Sequence, residues 1–192
     1  MKIITISREY GAGGHSIGLA VAKRLGIEFY DRDIIRNTAL ESGLETELVE
    51  KEEELISRSE SFIRALSPQS YNEKDVLFDA QCKVIIDLAK KGPCVILGRC
   101  ADAVLKKTDI DVLDVFIFAG DIHRAMRVGE LLNTTDATLI QKTMKKIDRD
   151  RHAYYKYYTG REWGDSHNYG LSLDSGLLGY EKCVDLICAA AE

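Results

Sequence analysis

Residues 5–25 read TISREYGAGGHSIGLAVAKRL. An apolar strand runs into a turn holding Gly11, Gly13 and Gly14, and the turn opens directly onto a helix with Ile17, Ala20, Val21 and Leu25 on one face. Glycine reaches backbone conformations closed to other residues, so several N–H groups of such a turn converge on one anion at the positive end of the helix. The stretch predicts a phosphate cradle between a first strand and a first helix.

The cradle matches half of the P-loop pattern G-x-x-x-x-G-K-[ST]. Gly14 and Ser16 stand at the second glycine and the hydroxyl, while His15 takes the place of the lysine and Glu9 that of the first glycine. A lysine is a permanent point charge; an imidazole is mostly neutral near pH 7 until an adjacent anion favours its protonated form. In a P-loop the hydroxyl after the lysine ligates Mg²⁺, which points to Ser16.

Outward from this turn, apolar runs of strand length recur at 2–6, 27–30, 94–97, 112–118 and 171–173. Helical patterns lie between them. Asp31-Arg32-Asp33 supplies a cap and first-turn carboxylates, Pro68 breaks the chain, and Asn72 caps a helix through Val76, Ala80, Val84 and Leu88 that Gly92-Pro93 stops. Gly120-Asp121 turns into another helix, 136–158 is one long helix or two with a bend, and Tyr180, Cys183, Val184 and Ile187 mark a closing helix. Strands alternating with helices imply an α/β fold with a mainly parallel sheet covered on both sides. Ligands of such sheets sit at the carboxyl ends of the strands, so the turns at 11–16, 31–33, 98–99 and 120–121 are expected to face one crevice.

The chain of 192 residues, 45% hydrophobic and 30% charged, suits one domain with a sizeable core. A formal charge of -5 argues against a general nucleic-acid binder. Charge is unevenly placed: residues 41–60 carry eight acidic side chains against Lys51 and Arg58, and residues 142–161 carry seven basic ones against Asp148 and Asp150. No signal-peptide pattern and no run of about 18 apolar residues is present, which predicts a cytoplasmic protein without a membrane partner. The cysteines 82, 94, 100, 183 and 188 lack C-x-x-C spacing and read as small buried hydrophobes.

Among the charged residues, Arg99 follows a strand through Gly98, so its guanidinium is expected at the crevice, gripping a phosphate or pairing with Asp102 or Asp33. Arg8 at the entrance of the cradle is a similar case. Lys145 and Arg149 share a helix face, as do Lys142 and Lys146, and such a basic face suits a lid that neutralises a phosphoryl group in transit. Tyr154, Tyr155, Tyr157, Tyr158 and Trp163 either stack a base or pack the lid on the body.

Four windows together resemble the cytidylate kinase-like members of the P-loop nucleoside monophosphate kinases: ITISREYGAGGHSIGLAVAKRLG, VILGRCADAV, FIFAGDIHRAMRV and NYGLSLDSGLLGYEKCVDLI, in which Leu173-Asp174-Ser175 falls on the family's I-D-T. The resemblance implies a P-loop NTPase-type three-layer α/β/α fold with five parallel strands. It divides the chain into a core (1–31, 92–131, 168–192), a helical acceptor-binding insertion (32–91) and a lid (132–167). It implies ATP and Mg²⁺ as cofactors and small nucleotides as partners, with CMP or dCMP as acceptor. Gly11, Ala12, Gly13, Gly14, His15 and Ser16 would hold the donor phosphates, with Arg124 and Arg127 beside them and Ser16 on the metal. Asp31, Arg32, Asp33 and Arg99 would take the acceptor, and His15, Arg99, Arg149 and Arg151 would act on the transferring group. Against the family's pattern, His15 replaces the lysine, the Asp31 turn replaces D-T-G-A, and the lid has no proline near its end. Two further readings therefore stay open, a nucleotide-binding regulatory module without turnover and a kinase for another small acceptor. The oligomeric state is open as well.

Overall fold

The computed structural model describes residues 2–41 and 68–192. Strand β1 (Ile3–Arg8) is buried along almost its whole length and sits at the centre of a five-stranded sheet of order β2-β3-β1-β4-β5. The other strands are β2 (Glu28–Tyr30), β3 (Cys94–Leu97), β4 (Val112–Phe118) and β5 (Leu171–Asp174), and every pairing is parallel. The five apolar runs are these five strands, with bounds moved by one or two residues. Asp114, the polar residue inside β4, accepts a hydrogen bond of 2.6 Å from Thr5 Oγ1 on the neighbouring strand. A lone carboxylate is thereby accommodated in an apolar run.

Alternation along the strands feeds two cores. Ile4, Ile6, Val95 and Leu97 join Ile17 and Val21 of helix α1 (Gly14–Leu25) and Val184 and Ile187 of the closing helix. Cys94 and Ile96 join Ile35 of α2 (Arg32–Glu41), Val84, Ile85 and Leu88 of α3 (Pro68–Lys91), and Val104 and Leu105 of α4 (Ala101–Leu105). Helices α5 (Asp121–Leu132) and α6 (Ala137–Thr159) form an arm, followed by a 3-10 turn (Ser166–Asn168) and by α7 (Ser175–Leu178) and α8 (Tyr180–Ala191). Among the described residues no helix is long and apolar enough to cross a membrane.

One expectation changes. Asn72 lies inside α3 rather than at its cap, because the described helix already starts at Pro68, where a residue lacking an N–H fits the first turn. Of the two forms open for 136–158, one long helix is found, α6: Asp136 Oδ1 accepts from Thr138 N and Leu139 N at 2.9 and 3.1 Å, and Gly160 ends it at φ 70°. The acidic stretch after Gly43 lies outside the described residues. Four of the five cysteines are buried and Cys82 is half-buried, as their spacing predicts.

Candidate active site

Strand β1 delivers the chain into the turn Glu9–Gly13 at the carboxyl edge of the sheet. Gly11 and Gly13 take φ of 83° and 76°, a region that favours glycine. Space also demands it, since a Cβ at Gly11 would lie 2.7 Å from the Arg124 carbonyl oxygen and one at Gly13 would overlap the Tyr180 ring. Ser175 Oγ donates to the Ala12 carbonyl at 2.7 Å and fixes the turn from the far end of β5. Ile17 N to Gly13 O, 3.0 Å, is the first bond into α1, and no side chain caps the helix. The N–H groups of Gly14, His15 and Ser16 therefore stand at a positive helix end, ready for an anion.

Both side chains that follow are exposed. His15, 57% exposed, turns toward β2: its Nε2 is 3.6 Å from Asp31 Oδ2, and its ring meets Phe29 edge-on at 5.2 Å. Asp31 meanwhile caps α2 through Asp33 N at 3.0 Å and Ile34 N at 3.1 Å.

Beside the loop, at the ends of β1, β2 and β3, lies a cavity of about 530 Å³ lined by Arg8, Tyr10, Arg32, Arg99, Asp150, Arg151 and Tyr154 among others. The backbone spends strain to place one of these groups: Gly98, Arg99 and Cys100 all have positive φ, of 77°, 58° and 56°. Arg99 lies over the Tyr154 ring at 5.4 Å, and Arg151 lies over Tyr10 at 5.7 Å while donating Nη1 to the Arg8 carbonyl at 2.8 Å. Burial, then Arg151, Arg99 and Arg32, push the Arg8 guanidinium down to about 9, with Asp31 acting the other way. Arg151 is also shifted down, by burial first, while Asp148 and Tyr10 oppose the shift and Arg124 and Arg32 add to it. An arginine seldom gives up its proton, so crowding of this kind makes the cavity a strong attractor for an anion.

Helix α6 is fastened down over the cavity. Asp148 accepts from Tyr10 N at 2.8 Å and from Arg124, and farther along Tyr155 donates its hydroxyl to Asp102 at 2.6 Å. Arg161 Nη1 lies 3.6 Å from the same carboxylate, which is only 2% exposed, and burial raises that carboxyl. Asp102 is thus occupied by Tyr155 and Arg161 rather than by Arg99. Among the described residues neither Arg8 nor Arg99 has a carboxylate within salt-bridge distance.

The structure brings Arg99, Arg32 and Arg151 to one cavity, and Asp31 acts on its Arg8 electrostatically without lining it. Arg124 goes elsewhere: buried at 7% exposure, it donates Nε to the Tyr10 carbonyl at 2.9 Å and pairs with Asp148 and, at 3.1 Å, with Glu9. Glu9 also accepts from Ala119 N at 3.2 Å, so the residue that displaces the first P-loop glycine ties the loop to β4. Burial raises its carboxyl, against the pull of Ala119 N and Arg124. Arg127 pairs with Glu130 at 2.9 Å, and Arg149 is exposed beside Asp150 at 3.7 Å. Asp33 N is engaged in the Asp31 cap, and Asp33 itself is exposed. The cavity is lined by a face of α6 other than the one that carries Lys145 and Arg149. Ile147, Asp150, Arg151 and Tyr154, spaced i, i+3, i+4 and i+7, are the face that lines the cavity, and that spacing was the available signal.

Among the described residues there is no cluster of His, Cys, Asp and Glu fit to hold a metal by itself. The loop instead offers one exposed hydroxyl, Ser16, next to the amide cradle. That donor set suits a magnesium ion taking most of its ligands from nucleotide phosphates and water.

Residues 3–177 match the family described as the cytidylate kinase-like family. No curated protein matches the chain in sequence. Among solved structures, an uncharacterized protein from Eubacterium ventriosum ATCC 27560 has a TM-score of 0.77 at 24% identity, covering 100% of this chain and 98% of that one. A gluconokinase from Sinorhizobium meliloti 1021 has a TM-score of 0.57 at 15% identity, covering 99% and 93%. Shikimate kinase from Bacteroides thetaiotaomicron follows with 0.53 at 14%, covering 98% and 97%. The five-stranded parallel α/β fold is that of P-loop kinases.

Proposed function

The chain belongs to the cytidylate kinase-like family, and on that premise we propose that it moves the γ-phosphoryl group of ATP to a small anionic acceptor, a nucleoside monophosphate such as CMP or dCMP. Family and fold together point to nucleotide-dependent phosphoryl transfer. One observation carries the choice of an anionic acceptor: the cavity adjoining the phosphate loop is lined by Arg8, Arg32, Arg99 and Arg151.

In this reading the amides of Gly11 to Ser16 hold the donor phosphates. Ser16 gives a hydroxyl to Mg²⁺, which when bound supplies charge to the donor phosphates. Arg99 and Arg32, with Asp31 and Asp33 at the rim, receive the acceptor. Arg151 covers the transferring group from α6. Arg124 serves the donor side by holding Glu9, Tyr10 and Asp148 in place. Phosphoryl transfer needs position and charge rather than a protein nucleophile, and these residues supply both.

A second acceptor class fits the same guanidiniums, since arginine grips a carboxylate as readily as a phosphate. The gluconokinase and shikimate kinase named above carry carboxylate-bearing acceptors in their names. The test is ADP release from Mg-ATP in a coupled assay, across ribo- and deoxyribonucleoside monophosphates, gluconate and shikimate, with a no-acceptor control. Release dependent on CMP or dCMP supports the first reading, and release with only a hydroxy acid installs the second. ATP binding without release for any acceptor favours a regulatory module.

A further inference from the structure

The four arginines of the cavity are not equivalent, because only Arg8 is rooted in the strand that carries the phosphate loop. Its side chain leaves the end of β1 and crosses the first residue of α1: a Cβ at Gly14 would lie 2.6 Å from Arg8 Cβ and 2.7 Å from Cγ. It ends over the next strand's turn, where a Cβ at Gly98 would lie 2.6 Å from Nη1. Two glycines, one in the donor loop and one preceding Arg99, leave room for the same side chain. The guanidinium thus lies between the loop that would hold the donor and the arginine that would hold the acceptor.

The loop's own candidate for that charge points away. His15 is exposed and faces Asp31 and Phe29. Arg8 by contrast is braced, its carbonyl oxygen held by Arg151 and its next residue, Glu9, held by Arg124. A charge on the central strand of the sheet does not have to be reorganised as the reaction proceeds, which is the condition for strong electrostatic stabilisation.

We propose that Arg8 is the catalytic cation of this protein: it contacts the γ-phosphoryl group in transit and replaces the lysine that a P-loop would carry at position 15. The inference rests on the phosphoryl-transfer reading given above. In the step itself, the bond from the γ-phosphorus to the bridging oxygen of the departing ADP breaks and a bond to an acceptor oxygen forms. A phosphate acceptor presents an anionic oxygen, so no proton has to leave, and Arg8 keeps its own proton throughout. Its work is to neutralise charge shared between donor and acceptor.

The experiment compares the affinities of Mg-ATP and Mg-ADP by calorimetry for the unmodified protein, Arg8→Met, Arg8→Lys and His15→Ala, with the acceptor-dependent rate measured alongside. The unmodified protein should bind ATP about tenfold or more tightly over ADP through a charge-assisted contact to the γ-phosphate. Arg8→Met should bring that ratio to about one and lower kcat about 10³-fold, as loss of a preorganised donor does. Arg8→Lys should recover part of both, and His15→Ala should lower the ATP-over-ADP ratio less than Arg8→Met does. If Arg8→Met does not fold, judged by its thermal midpoint, Arg8→Gln is read in its place. An unchanged ATP-over-ADP ratio in the neutral variant, or its collapse in His15→Ala instead, overturns the role of Arg8 while leaving the kinase reading intact. Equal binding of ATP and ADP by the unmodified protein also overturns it. Failure to bind either nucleotide defeats the functional reading itself, and the inference falls with it. Absence of turnover with every acceptor, beside intact nucleotide binding, defeats the kinase reading, and the catalytic role of Arg8 falls with it.

Discussion

The phosphate loop and the arginine cavity meet at Arg8, yet they are built in opposite ways. The loop is one continuous stretch, residues 9–16, whose candidate anion-binding groups are backbone amides at the start of α1. The cavity takes its charge from Arg8, Arg32, Arg99 and Arg151, of which the first and last are 143 positions apart. A backbone cradle is set by local conformation and tolerates side-chain exchange, which is how a loop can lose its lysine and remain a loop. A side-chain cluster needs every member and the whole fold behind it.

The comparison breaks most directly on the cavity side. Arg99→Ala removes a guanidinium held in place by three successive left-handed residues. Acceptor kcat/KM should fall about 10²- to 10³-fold while the ATP Kd stays within about threefold. Initial-rate kinetics and calorimetry read the two numbers, and equal losses in both would mean that the regions are one undivided site.

On the loop side, Gly13→Ala forces φ 76° on a residue with a Cβ and drives that Cβ into the Tyr180 ring. A stability loss of about 2–4 kcal/mol is expected from strain and overlap together. Denaturant unfolding checks it; an unchanged midpoint would show that Tyr180 moves aside and that the cradle is not held by α8.

Helix α6 links the regions, and Tyr155→Phe tests its farther anchor. Deleting the hydroxyl leaves the buried Asp102 carboxylate short of a donor, at a cost of about 1–3 kcal/mol. An unaltered unfolding midpoint would leave Asp148 and Arg151 as the anchors that matter.

The smallest effect lies far from both regions, in β4. Burial raises the Asp114 carboxyl above the usual range, with the Thr5 hydroxyl pulling it down and Asp102 pushing it up. The folded state then holds the proton more tightly than the unfolded chain. The stability this group adds is present at low pH and is lost as pH rises from the ordinary carboxylate range through the raised value. Asp114→Asn should accordingly unfold a few degrees later than the unmodified protein at pH 8, about 1 kcal/mol, and lose that advantage by pH 4. A gap that does not change with pH would assign the effect to packing.

The same contrast explains what could be read from the chain alone. The loop, all five strands and the Gly120 boundary are local features, and their residues carry the pattern within a few positions. Arg99 was legible because Gly98 sits directly before it at a strand end. Arg124 was not, since the groups that turn it inward, Glu9, the Tyr10 carbonyl and Asp148, come from the loop and from α6 and meet only in the folded molecule. Arg8 was undervalued for a similar reason. Its significance depends on Gly14 and Gly98 lying on either side of its path, a relation between adjacent parallel strands that no spacing along the chain reveals. Arg149 and Arg151, two apart, share a charge and differ in their helix face, and only Arg151 reaches the cavity.

The central claim is that loop and cavity are the donor and acceptor halves of one site. Transfer of a radiolabelled γ-phosphoryl group from Mg-ATP, followed over a single turnover with CMP present, measures it directly. Label is expected in the phosphorylated acceptor, with little in inorganic phosphate and a marked fall in Arg99→Ala. Label released only to water, or label that reaches the acceptor equally well without Arg99, would contradict it.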